Sequence, residues 1–317
     1  MRNILLTGAT GFVGRGILDR LLQQSAITVY VPTRRPQSVA PNERVIPIAA
    51  DLSLDRIASE VLRSTNAIIH AAATVHLLDE YHPEQLERIY KSDITAAMTL
   101  AEDAAAAGVR RFVFISSIKV NGENTEGRGP FTEADLPAPN DPYGQSKARI
   151  EQSLAELSIR SGMEVVVIRP PLVYGPGVGA NFANLMRLAR SGLPLPLGNI
   201  PNRRSLLART NLADFVACCL DHPAAANQVF LISDGHDIST TELVHAIATA
   251  SGRRALLFPM PLPVLRAVSH MAGRSGALEK LVGSLQVNSI KARTLLNWTP
   301  PDELATALKQ TVKGLEA

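Results

Sequence analysis

Short apolar segments alternate with amphipathic ones through the first half of the chain. Helical patterns include residues 94–108 and the stretch from Tyr143 to Ser161. Continuous apolar runs are typical of strands buried on both faces. Their alternation with helices predicts an α/β fold built on a doubly wound parallel sheet. The runs that we interpret as strands are residues 3–7, 27–31, 45–50, 66–72, 111–116 and 164–170.

The pattern changes after about residue 175. Segments rich in Pro, Gly and Asn replace the regular alternation and predict loops and short helices in a smaller C-terminal lobe. A further apolar run, QVFLIS at 228–233, predicts a strand that returns to the main sheet. We therefore assign residues 1–175 to the sheet domain and residues 176–317 mainly to the lobe, with a segment at about 205–235 belonging to the sheet.

Composition narrows the classes of function. The formal net charge is +3, and no Lys/Arg tract with interleaved aromatic residues is present, which argues against a nucleic-acid partner. No apolar run reaches about 18 residues, so we expect no membrane insertion. The apolar stretch 255–265 is broken by three prolines and is interpreted as a lid or core segment. Cys218 and Cys219 are adjacent and lack metal-ligand spacing, so we predict no metal site and a reducing, cytoplasmic location.

A glycine-rich segment, TGATGFVG, joins the first predicted strand to the first predicted helix. Its spacing places Gly8 at a tight turn, lets the backbone at Gly11 approach a pyrophosphate, and lets helix and strand pack closely at Gly14. The amides at the start of the helix then face the phosphates, so we predict a dinucleotide site. The alternative is a glycine-rich turn without a ligand. The predicted contacts of this turn are Gly8, Thr10, Gly11, Phe12, Val13 and Gly14.

The end of the second predicted strand carries Thr33, Arg34 and Arg35 where an acidic residue would bind a ribose 2′-hydroxyl. A guanidinium suits a 2′-phosphate in charge and geometry, so Arg34 and Arg35 favour NADP(H) over NAD(H). The alternative is that both arginines are solvated and that NAD(H) binds without an acidic partner. After the third strand, Asp51 and Leu52 are predicted to lie beside the adenine; the alternative for Asp51 is the N-cap of the next helix.

Tyr143 and Lys147 lie four residues apart on a predicted helix, and therefore on one face of it. An ammonium near a phenol favours the phenolate, so we expect Lys147 to lower the pKa of Tyr143 from about 10. A tyrosine tuned in this way exchanges a proton with an alcohol or a carbonyl near neutral pH. Ser116 and Ser117 end a predicted strand at the edge where ligands bind in open α/β sheets.

With these motifs the chain resembles the extended short-chain dehydrogenases/reductases, in particular the nucleotide-sugar epimerase/dehydratase family with its Rossmann-type sheet. The segments that carry this resemblance over nearly the whole chain are TGATGFVG, IIHAAA, FISSIKVNG, YGQSK and RPPLVYGPG. The resemblance implies that Tyr143 is the catalytic acid/base and that Ser117 shares a hydrogen bond with the sugar oxygen. It implies that Lys147 binds the nicotinamide ribose. Further implied cofactor contacts are Ala71, Ala72, Ala73, Ser116 and Pro170.

The resemblance also implies a UDP-sugar substrate. The phosphate contacts of the family correspond to Asn181 and Arg204, and the lining of the uracil pocket corresponds to the segment around Leu197. Lys119 is interpreted as a contact to the sugar or its diphosphate. The alternatives are an N-cap for Asn181, a surface salt bridge for Arg204 and a solvated loop position for Lys119. A homodimer through the helices around 94–108 and 145–160 is implied as well, although their apolar faces would also suit packing on the sheet.

Several positions depart from the family pattern. Asp93 replaces a familiar asparagine, and SLQVNS at 284–289 replaces an Arg-x-Gly-Asp signal that often holds the diphosphate. Arg274 or Lys280 would have to supply that second phosphate contact. The residues after Ser117 are not the acidic pair of the family's 4,6-dehydratases, which disfavours dehydration.

Taken with the resemblance, these patterns predict hydride chemistry at C4 of a UDP-hexose in surface polysaccharide biosynthesis. We favour reduction of a UDP-4-keto-6-deoxy-N-acetylhexosamine, because Arg34 and Arg35 suit NADPH. One alternative is a UDP-glucose or UDP-N-acetylglucosamine 4-epimerase, in which the cofactor is regenerated. A second alternative is a short-chain reductase of a non-nucleotide ketone, and a third is a dinucleotide sensor without catalysis.

Overall fold

The computed structural model describes residues 2–74 and 82–315. Within them the strands are β1 (Arg2–Thr7), β2 (Ile27–Thr33), β3 (Val45–Ala49), β4 (Ala67–His70), β5 (Arg111–Ile115), β6 (Glu164–Arg169), β7 (Leu172–Tyr174), β8 (Leu206–Ala208) and β9 (Gln228–Leu231). The helices are α1 (Phe12–Leu22), α2 (Ser59–Ser64), α3 (Pro83–Ala106), α4 (Pro142–Ser161), α5 (Ala180–Arg190), α6 (Arg209–Asp221), α7 (Thr240–Ala250), α8 (Leu262–Met271), α9 (Ser275–Val282), α10 (Ile290–Leu296) and α11 (Leu304–Lys313).

Seven strands form one sheet in the order β3-β2-β1-β4-β5-β6-β9, and every neighbouring pair is parallel. The order reverses direction at β1, next to β4, which creates the crevice where doubly wound sheets bind ligands. The α/β class and the doubly wound sheet predicted from the sequence are therefore confirmed. The central strands are continuous apolar runs because helices cover both of their faces.

Alternate side chains of the strands face two different helical layers. On one face, Leu6 and Val113 pack with α1, α6, α10 and Trp298. On the other face, Leu5 and Phe112 pack with α2, α3 and α4. Both layers are closely buried, so the carboxyl ends of the strands are held in fixed relative positions.

The C-terminal lobe has its own apolar core, which joins α5, α7 and α11 to the small parallel pair β7–β8. Between these elements the chain returns to the main sheet, where β9 pairs with β6. The domain boundary near residue 175 stays a prediction. In the described part of the chain, no helix combines the length and apolar character that crossing a bilayer requires.

Candidate active site

The glycine turn after β1 is shaped by close backbone contacts. Gly8 has a φ of +69°, and a Cβ at this position would lie 2.7 Å from the amide nitrogen of Ala72. A Cβ at Gly14 would lie 2.0 Å from the carbonyl oxygen of Gly8, so this crossing of turn and helix admits only glycine. Helix α1 begins after Gly11 without a side-chain cap, which leaves its first amides available to an anion. This cradle fits a dinucleotide pyrophosphate.

The segment after β4 forms the wall of this cradle. Ala71 and Ala72 abut the glycine turn, and the Ala72 amide donates to Thr7 Oγ1 at 3.2 Å. Beyond them, Thr74 donates from its amide and its hydroxyl to the Asp93 carboxylate, at 2.9 Å each. Asp93, on α3, therefore fixes the end of this segment. Ala73 lies between these contacts and is exposed.

The residues predicted to bind the adenosine end lie at the ends of β2 and β3. Arg34 and Arg35 directly follow the last residue of β2, and both are exposed. The carboxylate of Asp51 accepts hydrogen bonds from the amide and the hydroxyl of Ser53, which lowers the pKa of Asp51. Asp51 thus caps a turn, whereas α2 begins at Ser59; the predicted cap of that helix is wrong. Leu52 is half-buried beside it.

Helix α4 presents Tyr143 and Lys147 at the carboxyl edge of the sheet. Asp141 begins the helix, because its Oδ1 accepts from the Gly144 amide at 2.7 Å, and Pro142 occupies the first helical position. The Lys147 ammonium donates to the Ile115 carbonyl at 3.0 Å, at the end of β5. It lies 4.6 Å from the centroid of the Phe114 ring and 5.8 Å from that of Tyr143.

We expected Lys147 to lower the pKa of Tyr143, but the protein groups around the phenol have the opposite effect. Burial raises the pKa of Tyr143 above its ordinary value of 10.0, and Asp141, Tyr90 and Asp93 raise it further. The Lys147 ammonium lies 5.8 Å from the centroid of the Tyr143 ring and donates its hydrogen bond to the Ile115 carbonyl. Burial also lowers the pKa of Lys147 from 10.5 to about 8, against the opposing effect of nearby carboxylates.

Ser117 begins a short 3-10 turn, Ile118–Val120, directly beyond β5. Its hydroxyl accepts from the Lys119 amide at 3.2 Å. The start of α4 packs on this turn so tightly that a Cβ at Gly144 would lie 2.8 Å from the Lys119 carbonyl oxygen. The structure therefore brings the serine turn and the tyrosine helix together.

Lys119 is not a freely solvated lysine. Its ammonium forms ion pairs with Asp141 and, at 2.9 Å, with Glu123. Partial burial alone would lower the pKa of Lys119, but the hydrogen bonds and charges of the two carboxylates outweigh burial and raise it. The ion pair with Asp141 ties the serine turn to the first turn of α4.

A buried polar network below the site was missed in the sequence. Arg169 Nε donates to both Glu151 carboxylate oxygens at 3.1 Å, and its Nη1 donates to Asn121 Oδ1 at 2.9 Å. Ser116, predicted as a cofactor contact, donates its hydroxyl to Glu151 and is buried. The network joins β5, β6, α4 and the serine turn. Two features of the sequence could have indicated this network: Glu151 follows Lys147 by one helical turn, and Arg169 is a charged residue at the end of an apolar strand. Pro170, which follows Arg169, is also buried.

His70, at the end of β4, is a second buried polar residue beneath the site. Its ring stacks on those of Phe112 and Phe114, with centroid distances of 6.0 Å to each. Its Nδ1 lies 3.1 Å from Thr7 Oγ1. Burial, assisted by the charge of Lys147, lowers the pKa of His70 from 6.5 to about 3, so the ring is neutral at physiological pH.

Three of the predicted substrate residues, Asn181, Leu197 and Arg204, lie beyond residue 175. Asn181 is exposed in the first turn of α5, and Leu197 is buried in the lobe core. Arg204 contributes to no salt bridge in the described residues; its guanidinium donates to the carbonyls of Lys280 and, at 3.1 Å, Gly283. Burial lowers the pKa of Arg204. Lys280 and Arg274, the other phosphate candidates, are exposed.

A glycine cradle, a tyrosine–lysine helix and a serine turn along one edge of a parallel sheet define a dinucleotide-dependent α/β enzyme. The sequence profile of the NAD dependent epimerase/dehydratase family matches residues 4–233. The chain belongs to this family.

Similar proteins with stated activities include sugar-nucleotide and sugar-lipid epimerases. A UDP-glucose 4-epimerase of Vibrio cholerae is 42% identical over 314 residues, which cover 99% of this chain and 95% of that protein. An N-acetyl-alpha-D-glucosaminyl-diphospho-ditrans,octacis-undecaprenol 4-epimerase of Escherichia coli O157:H7 is 24% identical over 83% of this chain and 76% of its own length.

Solved structures share the fold over the full length. The UDP-N-acetylglucosamine 4-epimerase from Bacillus cereus superposes with a TM-score of 0.79 and 21% identity, covering 100% of both chains. The UDP-glucose 4-epimerase from Thermus thermophilus, in complex with NAD, gives a TM-score of 0.75 and 22% identity and covers 99% of both chains.

Proposed function

We propose that this enzyme is a 4-epimerase of a UDP-hexose, with UDP-glucose and UDP-N-acetylglucosamine as the first substrates to test. The observation that carries this proposal is the 42% identity to a UDP-glucose 4-epimerase across 99% of the chain. The 4-ketoreductase that we favour from the sequence has weaker support, from two trifunctional enzymes of Arabidopsis thaliana whose names include a UDP-4-keto-L-rhamnose-reductase and which are 26% and 27% identical over 40% of their own length. The site supports either reaction, since both move a hydride and a proton at one carbon of the sugar.

In the proposed mechanism Tyr143 exchanges the proton of the sugar 4-hydroxyl. Tyr143 can accept that proton only as the phenolate, so a positive charge near the phenol, such as that of the Lys147 ammonium or of bound NAD+, would have to offset the burial and the neighbouring carboxylates that raise its pKa. Ser117 lies on the adjoining turn and would share a hydrogen bond with the same sugar oxygen. Removing a positioned acid/base of this kind costs about 100-fold or more in rate.

Lys147 holds a positive charge beneath the site. Its contacts are the Ile115 carbonyl and two aromatic rings, so the ammonium keeps donor capacity for a ribose hydroxyl. Bound NAD(H) would supply the hydride acceptor and donor at C4 of its nicotinamide. Gly8, Gly11 and Gly14 would hold its pyrophosphate, and Ala71, Ala72, Ala73 and Pro170 would line it.

For the substrate, we propose that Asn181 and Arg204 bind the diphosphate and that the segment around Leu197 faces the uracil. Arg204 would have to exchange its carbonyl contacts to Lys280 and Gly283 for phosphate oxygens. Lys119 would contact the sugar from the serine turn, in exchange for part of its ion pairing with Glu123. A homodimer and a role in surface polysaccharide synthesis stay predictions.

The test is to incubate the enzyme and NAD with each UDP-sugar and to separate the C4 epimers by chromatography. Conversion of UDP-glucose or UDP-N-acetylglucosamine to its epimer, without net change at the nicotinamide absorbance band, is the expected result. No epimer from either sugar would contradict the proposal.

A second candidate, the 4-ketoreductase, rests on the exposed pair Arg34 and Arg35, which would suit the 2′-phosphate of NADPH. It predicts stoichiometric oxidation of NADPH with UDP-4-keto-6-deoxy-N-acetylglucosamine. It also predicts tighter binding of NADPH than of NADH, and replacing both arginines with alanine should abolish that difference. Equal affinities in the wild-type protein would remove this argument and leave NAD(H) as the cofactor.

A further inference from the structure

Helix α8 packs on the lobe core through a narrow inward face that contains Leu262 and Leu265. Val264, Val268 and Met271 lie elsewhere on the helix and are 48%, 53% and 87% exposed. These three positions follow the spacing i, i+4 and i+7, so they lie along one side of the helix. An apolar side of a surface helix normally faces a core, and this one faces outward.

The segment before α8 extends the apolar surface. The Leu195 amide donates to the Leu256 carbonyl at 2.8 Å, and the Phe258 amide donates to the Leu195 carbonyl at 3.0 Å. Leu257 packs against the lobe core, so its neighbours Leu256 and Phe258 point the other way, and both are exposed. We call Leu256, Phe258, Val264, Val268 and Met271 the apolar face of the lobe.

The net positive charge of the chain comes from the segment that contains this face. The whole chain has 32 basic and 29 acidic residues, and residues 251–283 carry five of the basic ones and a single carboxylate, Glu279. The rest of the chain is therefore slightly acidic. The five basic residues of this segment are Arg253, Arg254, Arg266, Arg274 and Lys280.

Most of these charges are unpaired. Arg266 forms a salt bridge with Glu279, and Glu126 also contributes a negative charge near it. Within the described residues, no ion pair involves Arg253, Arg254, Arg274 or Lys280. Four of these basic residues are exposed, two of them before α8 in the chain and two after it, so exposed basic residues precede and follow the apolar helix in sequence.

We propose that the lobe docks peripherally on an anionic lipid bilayer, with the apolar face in the headgroup region and the flanking basic residues on the lipid phosphates. Aliphatic side chains on one side of a short helix, bordered by Arg and Lys, are the pattern of interfacial binding. Each basic residue near an anionic surface strengthens binding by about fivefold.

Two other occupants fit the surface less well. A second copy related by twofold symmetry would place the same patch against itself, and therefore its unpaired cations against one another. Single-stranded nucleic acid binds on aromatic side chains, and Phe258 is the one aromatic residue of the apolar face. An anionic bilayer, unlike these two occupants, would interact favourably with both the basic residues and the aliphatic side chains of this surface.

The experiment is flotation of the full-length protein with vesicles of phosphatidylcholine alone or mixed with phosphatidylglycerol. We expect binding to the mixed vesicles, weakening as salt is raised, and little binding to phosphatidylcholine. Val268→Asp should lower the partition coefficient about tenfold or more, since it places a charge where the bilayer would otherwise cover an apolar side chain. Arg274→Glu and Lys280→Glu should each lower it about fivefold or more.

Leu136→Asp is the matched control, because Leu136 is 85% exposed on a loop outside the lobe. It should leave vesicle binding unchanged, and circular dichroism should show that all variants are folded. Absence of wild-type flotation, or equal flotation of Val268→Asp and the wild type, overturns the proposal. If Val268→Asp instead lowers the molar mass in light scattering without vesicles, the face is covered by a second copy and the proposal is also overturned.

Discussion

One ion pair of the sheet half and one of the C-terminal lobe differ sharply in burial. Below the site, Glu151 and Arg169 are 9% and 6% exposed and are joined to Asn121 and Ser116 by hydrogen bonds. In the lobe, Arg266 and Glu279 pair at 50% and 52% exposure. A buried, fully hydrogen-bonded pair fixes the elements that meet there, whereas a solvated pair restrains its helices little. The buried pair therefore holds the elements of the reaction end together, whereas the exposed pair contributes little to holding α8 and α9.

The largest expected difference is between the two carboxylates of these pairs. Glu151→Gln should destabilise the protein by about 3–5 kcal/mol, because it leaves the Arg169 charge buried without its partner. Glu279→Gln makes the same chemical change in the lobe and should cost less than about 1 kcal/mol. Urea unfolding of both variants measures the difference; equal losses would show that the comparison is mistaken.

The next effect concerns two tyrosines whose ring centroids lie 6.1 Å apart, Tyr143 and Tyr90. Tyr143→Phe should lower kcat by on the order of 100-fold with little change in KM, since it removes the proposed acid/base and keeps the ring. Tyr90→Phe removes an equivalent hydroxyl from α3 and should change kcat by less than about threefold. Steady-state kinetics with the true substrate measures both effects. A Tyr143→Phe enzyme with the activity of the wild type would show that Tyr143 is not the catalytic acid/base.

Two glycines give a third pair. Gly14→Ala should weaken dinucleotide binding roughly tenfold to hundredfold, because strain of about 1–3 kcal/mol must open the turn against the Gly8 carbonyl. Gly276, in the first turn of α9, has no neighbouring atom within 4 Å of an added Cβ. Gly276→Ala should leave binding unchanged and stabilise the lobe by about 0.4–1 kcal/mol. Cofactor titration and thermal unfolding measure these outcomes.

The effect that is smallest at neutral pH is a pH dependence that arises in the sheet half. The pKa of His70 is about 3 in the folded protein and near 6.5 when unfolded, so the unfolded state binds the extra proton between these values. The free energy of unfolding should therefore fall as the pH drops from 6.5 toward 3, by at most about 1.4 kcal/mol per pH unit from this residue. His70→Gln should flatten that slope. An unchanged slope in urea titrations at several pH values would exclude His70 as its source.

The sequence predicts the sheet half well for a physical reason. Buried parallel strands are continuous apolar runs, and the runs at 3–7 and 111–116 correspond to β1 and β5 within one residue at each end. The glycine turn is predictable because few residue types fit a backbone crossing such as that at Gly14. Tyr143 and Lys147 were identified from helical spacing and from the family pattern.

The sequence does not show which charged side chains pair with each other when they lie on different helices and strands. Glu151 and Arg169 lie on different elements, and only the fold brings them together. The same limit applies to Arg204, whose partners are backbone carbonyls that no side-chain pattern encodes. The pKa of Tyr143 was mistaken because spacing gives proximity along a helix but not the direction in which an ammonium points.

The packing of Trp298 has a consequence for how the chain matures. Its ring packs edge-on against Phe215, with centroids 4.8 Å apart, and its indole nitrogen donates to Asp214 at 2.9 Å, so it closes the core beneath the dinucleotide cradle. The first strand of that core is synthesised at the other end of the sequence. During translation, which adds about 5–20 residues per second, the cofactor half stays incomplete until Trp298 has left the ribosome. We therefore expect the core of the cofactor half to close only after most of the chain has been synthesised.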